Sequence, residues 1–333
     1  MLELVLIPCL AAVLPWPVCF VLYKRLATWP WLYREVCDPA LAQAMQRGHC
    51  DNADAWIFER RLITLLDHAD HYLFRTRPDG WMNRYVDVRG QWGAGDQAGL
   101  LWTFHWGAGM WALRHAQVSG LRANMVLAAP SGPDFVGRTV FGLYVRARMR
   151  SVHQALGRPI IFVPGGMSGL RNALERREQV AVVMDVPQDQ VNITRVTELL
   201  GQPVSVPAVL PQIAVDKALP VTVFYMGVNL RTGRRTLHVA PLGVFQNPQT
   251  LTDTAFAHLD GLLKNTPAAW HLWAQAPRFF RVRQKSADIG CVQRKEGEGS
   301  CQRIRRGCRN ELEAAFARAR VGSGPMGCPA HHR

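Results

Sequence analysis

Lysine and mid-chain cysteine are what this sequence has least of. Of its 39 basic residues only five are lysine, and no cysteine lies between Asp51 and Gly290. The body of the chain therefore holds no thiol nucleophile and no disulfide framework. Charged residues are scarce too, 19% against 48% hydrophobic, which excludes an intrinsically disordered chain. There is no internal repeat, and no zinc-finger, helix-turn-helix or RNA-recognition pattern, so a nucleic-acid partner is not expected. At 333 residues the chain is too long for a small stapled scaffold and suits one large domain or two modest ones.

What charge there is lies unevenly. The net charge is +14, and the stretch from Arg278 to Arg333 holds 13 basic against 5 acidic residues. Four of the eight cysteines, Cys291, Cys301, Cys308 and Cys328, share that stretch, and their spacing to His331 and His332 fits no zinc pattern. Residues 285–333 are poor in Leu, Ile, Val and Phe, so a mostly disordered basic extension is expected there.

The other end reads as a membrane attachment. Leu2 to Tyr23 is apolar except for Glu3, close to the ~20 residues that cross a bilayer. Lys24 and Arg25 follow, then Trp29, Trp31 and Tyr33, side chains suited to the headgroup level. A cleaved leader would carry its cations first. An uncleaved anchor helix over residues 1–25 is expected, with the rest of the chain on the cytoplasmic face. Pro8, Pro15 and Pro17 oppose a straight helix, and a segment lying in one leaflet is the alternative.

Between these ends, strands and helices alternate. Helices are expected over 53–74, 110–118, 138–156, 170–177, 208–217 and 252–263. Strands are expected over 100–105, 125–129, 160–163, 180–184, 221–225 and 237–239. The pattern predicts an α/β fold, a mixed sheet flanked by helices, spanning residues 26–284. The cluster Asp67, His68, Asp70 and His71 reads as the solvated side of the first helix rather than a metal site.

One histidine stands where such folds place their chemistry. His105 ends an apolar strand and precedes Trp106, Gly107, Ala108, Gly109 and a helix. Open α/β sheets bind ligands beyond the carboxyl ends of their strands. Gly107 and Gly109 remove side chains beside the ring, so a substrate can come close. Asp185 ends a second buried strand.

These residues lie in GLLWTFHWGAGMWALRHAQVSGL, which resembles the catalytic block of the bacterial lipid A biosynthesis acyltransferases, the late acyltransferases. The resemblance continues through LRNALERREQVAVVMDVPQDQ, TELLGQPVSVPAVLPQIAVDKALPVTVFYMG and TPAAWHLWAQAPRFF, covering about residues 1–283. It implies a glycerolipid-acyltransferase-like fold carrying an N-terminal anchor at the inner membrane. The implied partners are an acyl-carrier protein or acyl-CoA donor and a lipid acceptor, lipid A-like or glycolipid, with no metal and no further cofactor. By the same resemblance His105 is the general base, Arg146 or Arg148 an anion contact, and Asp185 a support at a strand end. The family follows its histidine, after four residues, with Asp or Glu, whereas this chain has Met110. Asp96 and Asp134 are the nearest carboxylates in sequence that could replace it. Otherwise the chain is a degenerate member that binds acyl groups or lipid. His49 and Asp54 repeat the family spacing but lack the strand and the glycines.

Overall fold

Alternating burial along the strands builds a sheet with a core on each face. The structure, a computed structural model, describes residues 1–129 and 137–280. In β2 (Gly99–Thr103) and β5 (Gln179–Val183) nearly every residue is buried, and in β8 (Val221–Val228) most are. Leu101, Ala181 and Phe224 enter one core, and Leu100, Val180 and Val223 the other. Side chains alternate across a strand, so a strand buried on both faces needs an unbroken apolar run.

The remaining strands are β1 (Val86–Gly90), β3 (Ala123–Ala128), β4 (Ile161–Val163) and β9 (Arg235–Gly243). The seven-stranded sheet runs β1-β9-β8-β2-β5-β3-β4. All neighbours are parallel except the hairpin of β8 and β9, so the fold is α/β with a mixed sheet. Two further strands, β6 (Thr194–Leu199) and β7 (Gln202–Pro207), pair with each other around Leu200 and Gly201. Both turn residues have positive φ, 54° and 70°, as a tight two-residue hairpin requires. This hairpin is absent from the strands expected from the sequence, because Leu200 at the turn masks the turn signal.

Eleven helices cover the sheet among the described residues. The N-terminal series is α1 (Ile7–Val13), α2 (Trp16–Leu26), α3 (Arg34–Gln46), α4 (Ala53–Thr76) and α5 (Asp79–Tyr85). Then follow α6 (Met110–Val118), α7 (Thr139–Leu156), α8 (Met167–Glu175), α9 (Val209–Asp216), α10 (Pro248–Asn265) and α11 (Ala276–Phe279). On one face, side chains of α1, α2, α4 and α6 share a core with Leu101 and Phe224. Ala40 and Ala44 of α3, with α8, α9 and α10, line the other.

The expected anchor helix over residues 1–25 is corrected. No helix among the described residues is long and apolar enough to cross a membrane. A π-helical turn over Leu2–Leu6 leads into α1, and the chain breaks at Leu14, whose ψ of 148° is the extended conformation that Pro15 imposes on its predecessor. The carbonyls of Ala11 and Leu14, left open by the break, accept from Arg77 Nη2 at 3.0 and 2.8 Å. Tyr23 hydroxyl donates to the Pro8 carbonyl at 2.7 Å and Trp16 indole to Gly233 at 3.2 Å. Ile7, Ala11, Trp16, Cys19, Phe20 and Tyr23 thus belong to the core. The expected tail, residues 285–333, lies outside the described residues.

Deleting residues 1–25 should therefore abolish folding rather than release an intact domain. Removing one buried aromatic costs about 3–5 kcal/mol, and whole domains have only about 5–15. The deletion takes Trp16, Phe20 and Tyr23 together. The expected outcome is loss of cooperative thermal unfolding. A truncated chain that melts cooperatively near the full-length temperature would show that the segment is only attached to the domain.

Candidate active site

Parallel register brings His105 and Asp185 together. Thr103 of β2 lies opposite Val183 of β5, and the ladder continues with Met184 N–H to the Thr103 carbonyl at 2.9 Å. Two residues beyond each partner stand His105 and Asp185. The Asp185 carboxylate, 1% exposed, accepts from His105 backbone N–H at 2.9 and 3.0 Å and from His105 Nδ1 at 3.1 Å. Trp270 indole donates to its Oδ2 at 2.8 Å. An ionised carboxylate only accepts, so Nδ1 carries the proton and Nε2 keeps its lone pair. The His105 side chain is 42% exposed, and among the described residues nothing bonds to Nε2. Partial burial disfavours the charged ring, but the Asp185 carboxylate outweighs it and holds the pKa above the usual imidazole value.

The chain just before α11 clamps the His105 loop. Trp106 and Trp270 form an antiparallel bridge, Gly107 N–H donates to Ala269 at 3.0 Å, and His271 N–H to His105 at 2.7 Å. His271 Nε2–H donates to the Gly107 carbonyl at 2.7 Å. Beneath them Arg60, 1% exposed, gives Nη1 to Trp270 and Ala268 at 2.8 and 3.3 Å and Nη2 to His271 at 3.2 Å. Three carbonyls thus offset the cost of burying that cation.

The two glycines divide their expected role. Gly107 has φ of 71°, and a Cβ there would lie 2.0 Å from the Met226 carbonyl oxygen, so it serves the close approach of loop and β8. Gly109 precedes α6, and a Cβ there would meet nothing within 4 Å, so it borders open space beside the ring loop.

The remaining candidates fall at different places, and only the solvated reading of the Asp67–His71 cluster is overturned. Asp96 lies exposed in the loop before β2 without a bond to His105, and Asp134 lies outside the described residues. Met110 is 2% exposed and faces the core from the first turn of α6. His49 packs its ring on Trp273 at 5.6 Å instead of meeting Asp54. The Asp67–His71 cluster is not a solvated face: Asp70 and His71 are 0% and 2% exposed. Asp70 pairs with the fully buried Arg235, whose guanidinium lies over the Trp16 ring at 4.2 Å. Asp67 Oδ1 accepts from Arg148 Nη2 at 2.7 Å, while Arg148 Nη1 reaches the Asp67 carbonyl and Tyr144 hydroxyl, both at 3.2 Å. Arg146, about 200° around α7 from Arg148, is exposed. Among the described residues no three His, Cys, Asp or Glu side chains are grouped to hold a metal ion.

Arg148 is thus held on Asp67 and Tyr144, and no hydrogen bond joins it to His105 or Asp185 among the described residues. Arg60 and the roles of Trp270 and His271 are what sequence reasoning missed; the last two lie in the aromatic run WHLW, whereas nothing in the sequence marks Arg60. Compared with protein-family models the chain matches none, and compared with the curated proteins it matches none.

These surroundings can be tested by substitution and by acid. Gly107→Ala should lower the melting temperature, whereas Gly109→Ala should stay within about 0.5 kcal/mol of the parent; equal effects would contradict the close approach to β8. Acid should weaken the fold. Burial holds His68 and His71 at about 4 and His271 at about 3. Unfolded histidine takes its proton near pH 6.5, so between about 6.5 and 4 the unfolded state binds more protons and stability falls with pH. Asp70, pushed up to about 6 by burial, and His105, held up by Asp185, work in the opposite sense. A melting temperature unchanged from pH 7 to about 4.5 would mean that these rings are solvated.

Proposed function

We propose that this protein is an acyltransferase of the lipid A biosynthesis type, moving an acyl chain from a thioester donor to a hydroxyl of an amphipathic acceptor. The observation that carries the reading is the 3.1 Å contact of Nδ1 of the 42%-exposed His105 ring with buried Asp185, which leaves Nε2 without a hydrogen bond among the described residues. In this reading Nε2 takes the proton of the acceptor hydroxyl as its oxygen attacks the thioester carbon. Asp185 steadies the imidazolium that forms, and the tetrahedral intermediate then expels the donor sulfur, which leaves with that proton. Trp270 and the His105 backbone N–H position the carboxylate. Arg148, already fixed by Asp67, would meet the phosphate of an acidic acceptor or donor. The donor would be an acyl-carrier protein or acyl-CoA, and the acceptor a lipid A-like or glycolipid molecule at the cytoplasmic face of the inner membrane.

The degenerate, lipid-binding alternative drew its support from Met110. The Asp185 carboxylate, 3.1 Å from His105 Nδ1, favours the catalytic reading over it.

The test is transfer of labelled acyl chain from acyl-carrier protein or acyl-CoA by detergent-solubilised protein. His105→Ala should abolish it. Asp185→Asn should cut the rate by about 10⁴, the loss seen when an orienting carboxylate is replaced by an amide. For the parent, kcat/KM should rise with pH through a pKa above about 6.5, since only the neutral ring accepts a proton. In Asp185→Asn that limb should move to lower pH, because the main group favouring the imidazolium is then neutral. Trp270→Phe should give a smaller loss with the limb displaced. Transfer that survives His105→Ala would remove His105 from the reaction.

A further inference from the structure

A cavity of about 210 Å³ opens beside the His105 loop, and Trp106 and Gly107, next in the chain to His105, form part of its wall. The sheet makes the room. In the ladder of β8 and β9, Gly227 stands opposite Thr236 and Tyr225 opposite His238, which places all four on one face. Gly227 leaves that face bare, and the Trp106 indole lies over it: a Cβ there would be 3.2 Å from the ring. The indole N–H donates to the Thr266 carbonyl at 3.3 Å, which fixes the ring. Ile63 and Ala269, both buried, and Val228 supply the rest of the apolar wall.

The polar groups of this wall are unspent. Among the described residues the Thr236 and Thr266 hydroxyls and both His238 ring nitrogens make no hydrogen bond within the protein. Asn229 Oδ1 accepts from the N–H groups of Arg231 and Thr232 at 2.9 and 3.1 Å, so the turn leaves Nδ2 as a donor. His238 stacks on Tyr225 with centroids 4.9 Å apart. Burial and nearby Arg89 hold it below the usual imidazole value, so the ring is neutral at pH 7. No Lys, Arg, Asp or Glu lines the cavity, although the chain carries a net charge of +14. Such a wall gives an anion no counter-charge and gives an uncharged ligand both donors and acceptors.

We propose that this cavity binds a single uncharged sugar ring, its C–H face against Trp106 and its hydroxyls on Thr236, Thr266, His238 and Asn229. Sugar hydroxyls donate and accept at once, as these partners do, and an indole meets the apolar face of the ring. The volume is below the roughly 300–1,000 Å³ of sites for drug-sized ligands, which suits one ring and not a long acyl chain. What the ring belongs to rests on the acyltransferase reading: the acceptor is then a glycolipid whose ring at Trp106 carries no phosphate. Binding of the ring itself is measured without any transfer reaction.

The test is saturation-transfer NMR of the full chain, in a detergent without a sugar headgroup, with methyl β-glucoside and methyl N-acetyl-β-glucosaminide as probes. Wild type should transfer magnetisation to at least one of them. T236V/T266V removes two hydroxyls at nearly constant volume and should weaken that binding about ten-fold, with melting unchanged. H238F, which keeps a ring stacked on Tyr225, is the second variant should the first not fold, and it should weaken binding too. Neither inorganic phosphate nor octanol should displace the glycoside. Folded wild type that binds neither probe overturns the proposal, as does folded T236V/T266V or H238F protein that binds like wild type. Displacement by phosphate would make the cavity an anion site, and displacement by octanol a hydrocarbon site; either result overturns the sugar assignment. Glycoside binding without acyl transfer would sink the proposed reaction and leave the sugar site standing, whereas transfer without glycoside binding would sink the sugar site alone.

Discussion

Asp185 is the group on which the arrangement around His105 depends. Buried with both oxygens engaged, it accepts from the backbone of β2's extension, from the imidazole and from an indole. A carboxylate in that position must be satisfied, since an unpaired buried charge costs several kcal/mol. The donors come from two distant parts of the chain: His105 at the end of β2 gives two, and the segment after α10 gives Trp270. Satisfying one charge thereby fixes the ring's tautomer, its orientation and the path of the closing segment.

That closing segment has its own support. Arg60 reaches up from the interior of α4 to hold the carbonyls of Ala268, Trp270 and His271, groups that lie outside the sheet. The same helix carries Asp67, which fixes Arg148, and Asp70, which meets Arg235 beneath Trp16. One helix thus joins the N-terminal hairpin of α1 and α2, the start of β9 and the site. Its polar residues are interior pieces of that junction, which is why their clustering is not the amphipathic pattern it resembles.

Much of the fold is legible in the sequence. The helix over Met110–Val118 and the strands ending near Val163 and Met184 follow from periodicity alone, because their apolar patterns are unambiguous. His105 and Asp185 are legible as strand ends. Their contact is not, since it depends on β2 and β5 being neighbours although α6, β3, α7, β4 and α8 separate them in the chain. The N-terminus misleads for a related reason. Hydropathy cannot distinguish Ile7, Phe20 and Tyr23, which enter a protein core, from Val13, Val18 and Val21, which face outward. Only the break at Leu14 and Pro15, legible as a proline, separates the two readings.

Met110 shows how position in the fold outweighs position in a motif. A carboxylate five residues after His105 would sit in the first turn of α6, where Met110 is instead buried against the core. To reach the ring it would need the helix and loop held in fixed relation. Asp185 needs less. Its backbone follows a strand hydrogen-bonded to β2 through Met184, so ring and carboxylate share one ladder and move together. The indole of Trp270 then removes the carboxylate's remaining freedom. A strand-borne partner is accordingly the stiffer solution, and it leaves the first turn of α6 free to contribute apolar volume where the helix meets β8.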